Sequence, residues 1–363
     1  TILDLPADKI FHNAMYDVSW IRSMGLKISG RIIDTMIAAS LIDENRRSFT
    51  LDSVAREYAG VRKDESLLRE AAKDWGVNPK SEMWRLPAPF VGKYAEQDAE
   101  ATLKVWHALK KELDSQELWQ GFNLETDLFP CLVDMKFKGV RVDLEKAEST
   151  RKYLKSEEKK TRTELKKLCG KDVEIWSAAS IAEAFERLNI SFDRTDKGAP
   201  SFTKNFLATH PDKFARTLVH CRELDKMNST FIQTILKHEH KGRIHADINQ
   251  IRSDDGGTVT GRFSYSNPNL QQIPARHKIL GPMLRSIFIP EENCTWGCFD
   301  YSQQEPRILV HYAHKMHMEG ASTIVDAYNK GEADFHQMIA DMAGIERKQA
   351  KTINLGIMYG MGK

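Results

Sequence analysis

The sequence predicts a multidomain chain of mixed α/β and α+β character, and three observations predict it. Its 363 residues correspond to two or three domains at the usual ~100–200 residues each. Near the start, short apolar runs alternate with segments of helical period, the pattern of an α/β unit. After Gly242 the character switches to short strands and broken turns, and from Phe335 it becomes helical again up to the Gly356–Gly362 region. A composition of 41% hydrophobic and 29% charged residues can bury sizeable cores and excludes disorder, collagen and coiled coil as the dominant state. The mean hydropathy is −0.48, and no apolar run approaches the ~20 residues of a membrane span.

Taken in order, Lys9–His12 reads as a short strand end, followed by helical periodicity through Val18, Ile21 and Met24. Asp34 has the chemistry of an N-cap for an apolar helix from Met36 to Leu41. The chain turns irregular around Pro79–Pro89, and Val91 to Leu113 reads as one helix with Tyr94, Asp98 and Ala101 along one side. A new unit is expected from Gly121, and Lys138–Asp143 reads as a turn into a strand. Residues 145–168 are densely charged and helical; paired with a second helix beyond the Gly198-Ala199-Pro200 loop, they predict a projecting, solvated subdomain. Ile287–Ile289 and Trp296–Phe299 suit strands of a buried sheet.

The net charge of +2 does not by itself announce a nucleic-acid partner, so any such partner is bound at local patches. Five cysteines, Cys131, Cys169, Cys221, Cys294 and Cys298, lack a framework spacing, which points to a reducing, cytoplasmic compartment and structural thiols. The chain begins at Thr1, which reads as a fragment or a processed product.

Three segments carry chemistry. In Cys298–Arg307 an apolar run ends in Asp300, which would place a carboxylate at a sheet rim. Pro306 fits the first position of a helix and makes Glu305 its N-cap. A strand-end aspartate followed by Glu and Arg suits Mg²⁺-dependent phosphate chemistry, although a plain strand end and capped helix reads equally well. In Arg347–Gly360, Arg347, Lys351, Leu355 and Tyr359 recur every fourth residue. They drift only ~40° per step and form one stripe. Two cations followed by an apolar and an aromatic side chain match a nucleoside triphosphate lying along the helix; the bland alternative is an amphipathic helix with solvated cations. In Thr258–Pro274 a Gly/Pro-broken loop rich in Arg, Asn, Gln and hydroxyls suits backbone-phosphate and minor-groove contacts, or is a polar surface loop.

Together, in order and spacing, these segments resemble the motifs of family A DNA polymerases, the bacterial DNA polymerase I class and its phage relatives. The family's TGRxSSxNPNLQxIP loop appears at Thr260–Pro274, its DYSQxELR motif at Asp300–Arg307 and its RxxxKxxxFGxxYG helix at Arg347–Gly360. Asn13–Asp17 and Tyr94–Asp98 resemble motifs of the DEDD-type 3′→5′ exonuclease usually fused to such polymerases. The resemblance implies a partial RNase H-like exonuclease domain at 1–115, a connection and start of palm at 116–145, a helical thumb at 146–240, a palm at 241–318 and partial fingers at 319–363.

By the same resemblance, two Mg²⁺ ions serve the polymerase site. Asp300 binds both, the carbonyl of Tyr301 binds one, and Asp17 and Asp98 are exonuclease metal ligands beside the water-orienting Tyr94. Gln303, Glu305, His336, Arg347, Lys351, Leu355 and Tyr359 are implied to bind the incoming dNTP, with Glu305 excluding a ribose 2′-hydroxyl. Arg262, Asn269, Gln271, Gln272, Arg285, Arg222 and Lys226 are implied to bind primer-template DNA, Ser229 and Thr230 lying beside the last two.

Several positions depart from the family pattern. Leu355 stands where the family carries Phe, and Gln304 and Pro306 replace apolar residues. The family's His-Asp-Glu motif does not follow the Arg347–Gly360 helix, and its Asp-x-Glu is not found on a first exonuclease strand ahead of Asn13–Asp17, so truncation at both ends is expected. A fragment inactive in both reactions follows, one that aggregates through unpaired edges or needs a second polypeptide carrying the missing motifs. Two other readings stay open: a ribonuclease D-type nuclease without polymerase activity, and a non-catalytic DNA-binding subunit. The expected setting is a bacterial or phage-infected cytoplasm, with no membrane partner.

Overall fold

The computed structural model describes residues 2–275, 277–331 and 333–361, and the chain divides into two compact units between Glu292 and Asn293. Gly362, where the expected last helical stretch closes, lies outside the described residues.

The first unit opens as a βαβ crossover. Strand β1 (Lys9–Phe11) pairs in parallel with β2 (Ile32–Asp34), Ile10 opposite Ile33, and helix α1 (Ala14–Ser23) joins them. Helix α2 (Thr35–Ile42) starts directly from β2, because the Asp34 carboxylate accepts the Met36 N–H at 2.8 Å. The same carboxylate accepts the N–H groups of Asn13 and Ala14 at 3.0 and 2.7 Å, so one buried side chain caps two helices. Helices α3 (Leu51–Tyr58), α4 (Ser66–Asp74) and the 28-residue α5 (Ala88–Ser115) follow. Ala101, Val105, Leu109 and Leu113 recur at fourth positions on α5 and are buried against Ile33, Ile37, Phe49 and Val54. Helix α6 (Trp119–Lys138) runs through Gly121, so the expected boundary there is the interior of a helix. Its Phe122 belongs to the same core as α5, packed on Trp106.

The expected turn into a strand is found: Gly139 ends α6 and strand β3 (Val140–Val142) follows it. Gly139 holds φ +63, and a Cβ there would meet the Ile244 carbonyl at 2.6 Å, so only glycine fits. Helix α7 (Leu144–Cys169) is capped by Asp143 and ended by Gly170 in the left-handed region. Beyond α8 (Ala178–Arg187), a small hairpin of β4 (Asp193–Arg194) and β5 (Pro200–Ser201) and α9 (Lys204–Thr209), the chain returns as α10 (Lys213–Lys226) against α7. Leu165, Ile175, Phe185, Phe214 and Leu218 form the core of this helical projection. A π-turn, Met227–Ile232, and α11 (Gln233–His238) lead into β6 (Glu239–His240), β7 (Arg243–Ile244), β8 (Asp247–Asn249) and β9 (Ser264–Ser266). With α12 (Leu280–Arg285) and β10 (Phe288–Ile289) the antiparallel sheet β10-β3-β7-β6 closes. Ile251, just past β8, is buried in the same core as Phe49 and Leu109, which welds this part to the βαβ layer.

The second unit is helical: α13 (Gln304–Lys315) and α14 (Ala321–Asn329) pack together, as do α15 (Phe335–Ala343) and α16 (Arg347–Met358). The expected single stretch from Phe335 is broken by Gly344, in the left-handed region. Trp296–Phe299 is not a strand, and Phe299 is 99% exposed. An isolated apolar run gains a ladder only from a neighbouring edge, and the described residues of this unit contain no strand to supply one. Helix α13 begins at Gln304, with Gln303 rather than Glu305 at the N-cap. First-turn N–H groups have no intrahelical acceptor, so Pro306 is as harmless two positions in as at the first. No helix among the described residues is long and apolar enough to cross a membrane, and the five cysteines carry no disulfide.

Candidate functional site

The first candidate site is a groove of about 1210 Å³ lined by His12, Asn13, Asp17, Trp20, Lys63, Tyr94 and Asp98. Asp17 sits in the first turn of α1, whose start is pinned by the double cap of Asp34. Tyr94 and Asp98 lie one turn apart on α5, so the helix presents both to the same space. His12 is bonded through Nε2 to the Phe49 carbonyl at 2.7 Å and through Nδ1 to the Thr35 hydroxyl at 2.8 Å. Burial holds its pKa below the usual imidazole value despite the neighbouring Asp34.

Burial, then the charge of Asp34, pushes the Asp17 carboxyl above its ordinary range. The folded protein therefore binds that proton more tightly than the unfolded chain, and the ionised carboxylate works against folding at neutral pH. That cost fades as the pH falls toward the ordinary carboxylate value of 3.8. Asp17→Asn is expected to raise the melting temperature at pH 7 in EDTA by about 1–3 °C. The gain should shrink toward pH 4 by scanning calorimetry; an equal gain at both pH values would contradict the assignment.

Lys63 is the residue that sequence reasoning missed. Its ammonium lies 2.9 Å from Asp98 Oδ1 and 3.3 Å from the Tyr94 hydroxyl, over the Tyr94 ring. Burial opposes its charge, but the Asp98 carboxylate outweighs that and holds its pKa above the ordinary lysine value. Nothing in the local sequence marks Lys63, because its partners lie on a distant helix.

A second surface is built on the β8–β9 hairpin, with Ile248 opposite Tyr265. Asn269 Oδ1 accepts the Gln271 N–H at 3.1 Å, and Gln271 Nε2 donates to the Phe263 carbonyl at 3.0 Å, so these two amides shape the 258–274 loop. Arg262, Gln272 and, at the end of α12, Arg285 are exposed. Lys226, Ser229 and Thr230 share one exposed face across the end of α10 and the π-turn. Arg222 is placed differently: its guanidinium donates to the carbonyls of Ile175 at 2.7 Å and Phe202 at 3.4 Å and covers the Trp176 ring. Burial lowers its pKa.

The third constellation lies within the second unit. Asp300 and Tyr301 are exposed ahead of α13. The Gln303 side chain accepts from the Tyr328 hydroxyl and the Phe335 N–H, at 3.1 and 2.9 Å, and donates to the Ala333 carbonyl. It thereby ties the start of α13 to α14 and α15. Glu305 occupies the first turn of α13, and its Oε1 accepts from the Tyr359 hydroxyl at 3.4 Å. Along α16, Arg347 and Lys351 are exposed and Leu355 is half-buried, with Tyr359 at the C-cap. Arg347 donates through Nε and a terminal nitrogen to Asp334 at 2.8 Å, and Asp334 itself caps α15. His336 lies beneath this stripe, 3% exposed, its Nδ1 accepting from Asn354 at 3.2 Å. Burial, then Lys351 and Arg347, lowers its pKa.

Among the described residues no three His, Cys, Asp or Glu side chains cluster closely enough to hold a metal ion. Asp17 and Asp98 are two hard carboxylates that line one groove. Asp98 already accepts a cation there, the Lys63 ammonium, and burial beside the charge of Asp34 disfavours the ionised form of Asp17, so a divalent ion in the groove would find oxygen donors of the right chemistry in these two residues.

Comparison with known proteins matches the two ends of the chain separately. Residues 144–363 match DNA polymerase family A, and residues 1–114 match a 3′-5′ exonuclease family. A DNA-directed DNA polymerase of Pseudomonas phage M6 is 36% identical over 98% of this chain and 56% of its own length. DNA polymerase DpoZ of Acinetobacter phage SH-Ab 15497 is 33% identical over 97% of this chain and 61% of its own. DNA polymerase I of Geobacillus stearothermophilus is 30% identical over 93% and 38%. The chain thus spans 56% to 61% of the length of these phage relatives. Among solved structures, the POL domain of Pol1 from M. smegmatis, in complex with DNA primer-template and dNTP, matches with a TM-score of 0.77 at 24% identity. The match covers 99% of this chain and 60% of that one, and shows the same fold.

Proposed function

Because the chain belongs to DNA polymerase family A, we propose that it extends a primer on a DNA template from deoxynucleoside triphosphates, and that residues 1–114 hydrolyse the 3′ end of a strand. The observation that carries the first part is the stripe on α16 with its partner on α13: Arg347 and Lys351 exposed, Leu355 next, and Tyr359 bonded to Glu305. Lys351 meets the triphosphate as a point charge. Arg347 meets it as a fork aimed by Asp334. Glu305 and Tyr359 flank the sugar and the base, and the Glu305 carboxylate stands where a ribose 2′-hydroxyl would crowd it. Gln303 and His336 act beneath this surface by fixing α13, α15 and α16 to one another. Arg262, Asn269, Gln271, Gln272, Arg285 and Lys226 line the duplex, while Arg222 holds the helical projection in shape.

Family A polymerases and their exonucleases use divalent metals, and in this reading the ion is Mg²⁺, held by Asp300 and the Tyr301 carbonyl in one site and by Asp17 and Asp98 in the other. When bound, it supplies Lewis-acid stabilisation of charge on the transferred or cleaved phosphoryl group. Tyr94 orients the attacking water from the turn it shares with Asp98. The nuclease-only alternative leaves residues 144–363 without a role. The setting proposed is the cytoplasm of a bacterial or phage-infected cell.

Lys351→Ala in the full-length protein tests the triphosphate role. A charge-assisted contact of 1.5–3 kcal/mol predicts a dNTP KM raised roughly 10–100-fold, with primer-template affinity within about twofold in single-turnover extension. An unchanged KM would remove α16 from the nucleotide site.

A further inference from the structure

We propose that Lys63 is a working part of the exonuclease groove, an internal counter-ion that holds Asp98 while the groove is empty and is drawn off by the phosphate of an arriving strand. Metal loading and strand binding then favour one another. The inference rests on the reading of Asp17, Tyr94 and Asp98 as the exonuclease site.

Lys63 is not a surface lysine that happens to reach a carboxylate. Its side chain is 8% exposed, while that of Asp98 is 29% exposed, so the pair opens to the groove through the aspartate. The segment carrying it is fastened to the very turn of α5 that carries its partners: the Asp64 N–H donates to Gln97 Oε1 at 3.0 Å, and Gln97 lies between Tyr94 and Asp98. At the other end, the Val61 N–H donates to the Ala55 carbonyl at 3.1 Å, tying the segment to α3.

Two consequences follow from that geometry. An ammonium at 2.9 Å from Asp98 Oδ1 shares the ligand that a divalent ion needs, and like charges at such range repel strongly in a partly buried site. The ammonium is ion-paired with Asp98 and donates to the Tyr94 hydroxyl, and Lys63 lines the groove, so a phosphate oxygen entering there competes with Asp98 for the same charge. A strand phosphate that captures the ammonium shifts Lys63 away from Asp98 and frees the carboxylate. By linkage, the factor by which a strand tightens metal binding equals the factor by which the metal tightens strand binding.

The test is Mn²⁺ binding followed by electron paramagnetic resonance in the full-length protein, with and without a single-stranded oligothymidylate whose 3′-terminal linkage is a phosphorothioate. The ion lost in Asp98→Asn identifies the exonuclease site. For the DNA-free protein, K63M is expected to bind that ion about tenfold more tightly than the wild type, within the usual 5–150-fold span of site coupling. The tightening caused by the oligonucleotide should shrink by the same factor, and K63R should keep the wild-type response. An unchanged Mn²⁺ affinity in K63M, or an undiminished oligonucleotide response, overturns the proposal. Should K63M not fold by circular dichroism, K63Q takes its place, and a wild-type protein whose Mn²⁺ affinity ignores the oligonucleotide overturns the proposal alone. If D17N and D98N lose no Mn²⁺ at all, it is the exonuclease reading itself that fails.

Discussion

Asp300→Asn is expected to abolish primer extension, lowering the single-turnover rate by at least about a thousandfold, because a lost metal ligand removes several kcal/mol of transition-state stabilisation. The same substitution should leave folding intact. Asp300 is exposed, lies outside any helix or strand, and exposed substitutions of this kind usually stay within about 0.5 kcal/mol. The separation makes the experiment decisive about folding: a large loss in the single-turnover rate at saturating substrate, with the melting temperature unchanged, comes from the site and not from unfolding. Hydrolysis of a single-stranded oligonucleotide by the same preparation should be unchanged, since Asp17, Tyr94 and Asp98 lie in the other compact unit. Extension within about tenfold of the wild type would mean that Asp300 binds no catalytic ion.

What was legible in the sequence is what depends on near neighbours. The cap at Asp34, the pairing of Tyr94 with Asp98 one turn apart, and the α16 stripe all follow from helical period and capping chemistry over a few residues. The exonuclease-then-polymerase order was legible from motif order, and the family matches place the two parts in that order along the chain. The illegible features are set by distant partners. Arg222 has the type and spacing of a solvent-facing cation, yet carbonyls from Ile175 and Phe202 claim it. Gln303 reads as one more polar residue of a motif, yet it bridges three helices through residues 328, 333 and 335. His336 is implied by the resemblance to contact the triphosphate, and it is buried under α16, held by Asn354. Trp296–Phe299 reads as a strand because its side chains are apolar, but apolarity without a neighbouring edge does not make a ladder.

For the nucleotide role proposed for α16, these distant contacts would supply the rigidity that selecting a ligand requires. Arg347 cannot swing freely, because both of its bonds go to Asp334, and Asp334 is held in turn by the N–H groups of His336 and Gln337. The first turn of α16 is closed by a capping box between Glu346 and Gln349. A fork fixed in this way loses little side-chain freedom when it meets a phosphate, so more of the contact energy appears as affinity. Lys351 has no such tether among the described residues, so in the proposed role it would supply charge rather than geometry.

If α13 and α16 hold the nucleotide as proposed, sugar selection is where the second large effect is expected. Glu305→Ala is expected to lower the preference for dNTP over rNTP, measured as the ratio of kcat/KM values, by about two orders of magnitude. The Glu305 side chain is held by the Tyr359 hydroxyl at 3.4 Å, so it cannot fold away from a 2′-hydroxyl without breaking that bond. Truncation to alanine removes both the obstruction and the anchor. Two further variants separate the mechanisms. Glu305→Gln keeps the volume and should reject ribonucleotides nearly as well as the wild type if the effect is steric. Tyr359→Phe keeps the carboxylate but removes the hydroxyl that donates to it, and should fall between the two. On the proposed placement of the nucleotide, Leu355, half-buried one turn before Tyr359, would leave the sugar edge less crowded than an aromatic ring, and more of the discrimination would then fall on Glu305. A ribonucleotide preference unchanged in Glu305→Ala would show that the sugar is not read at this carboxylate.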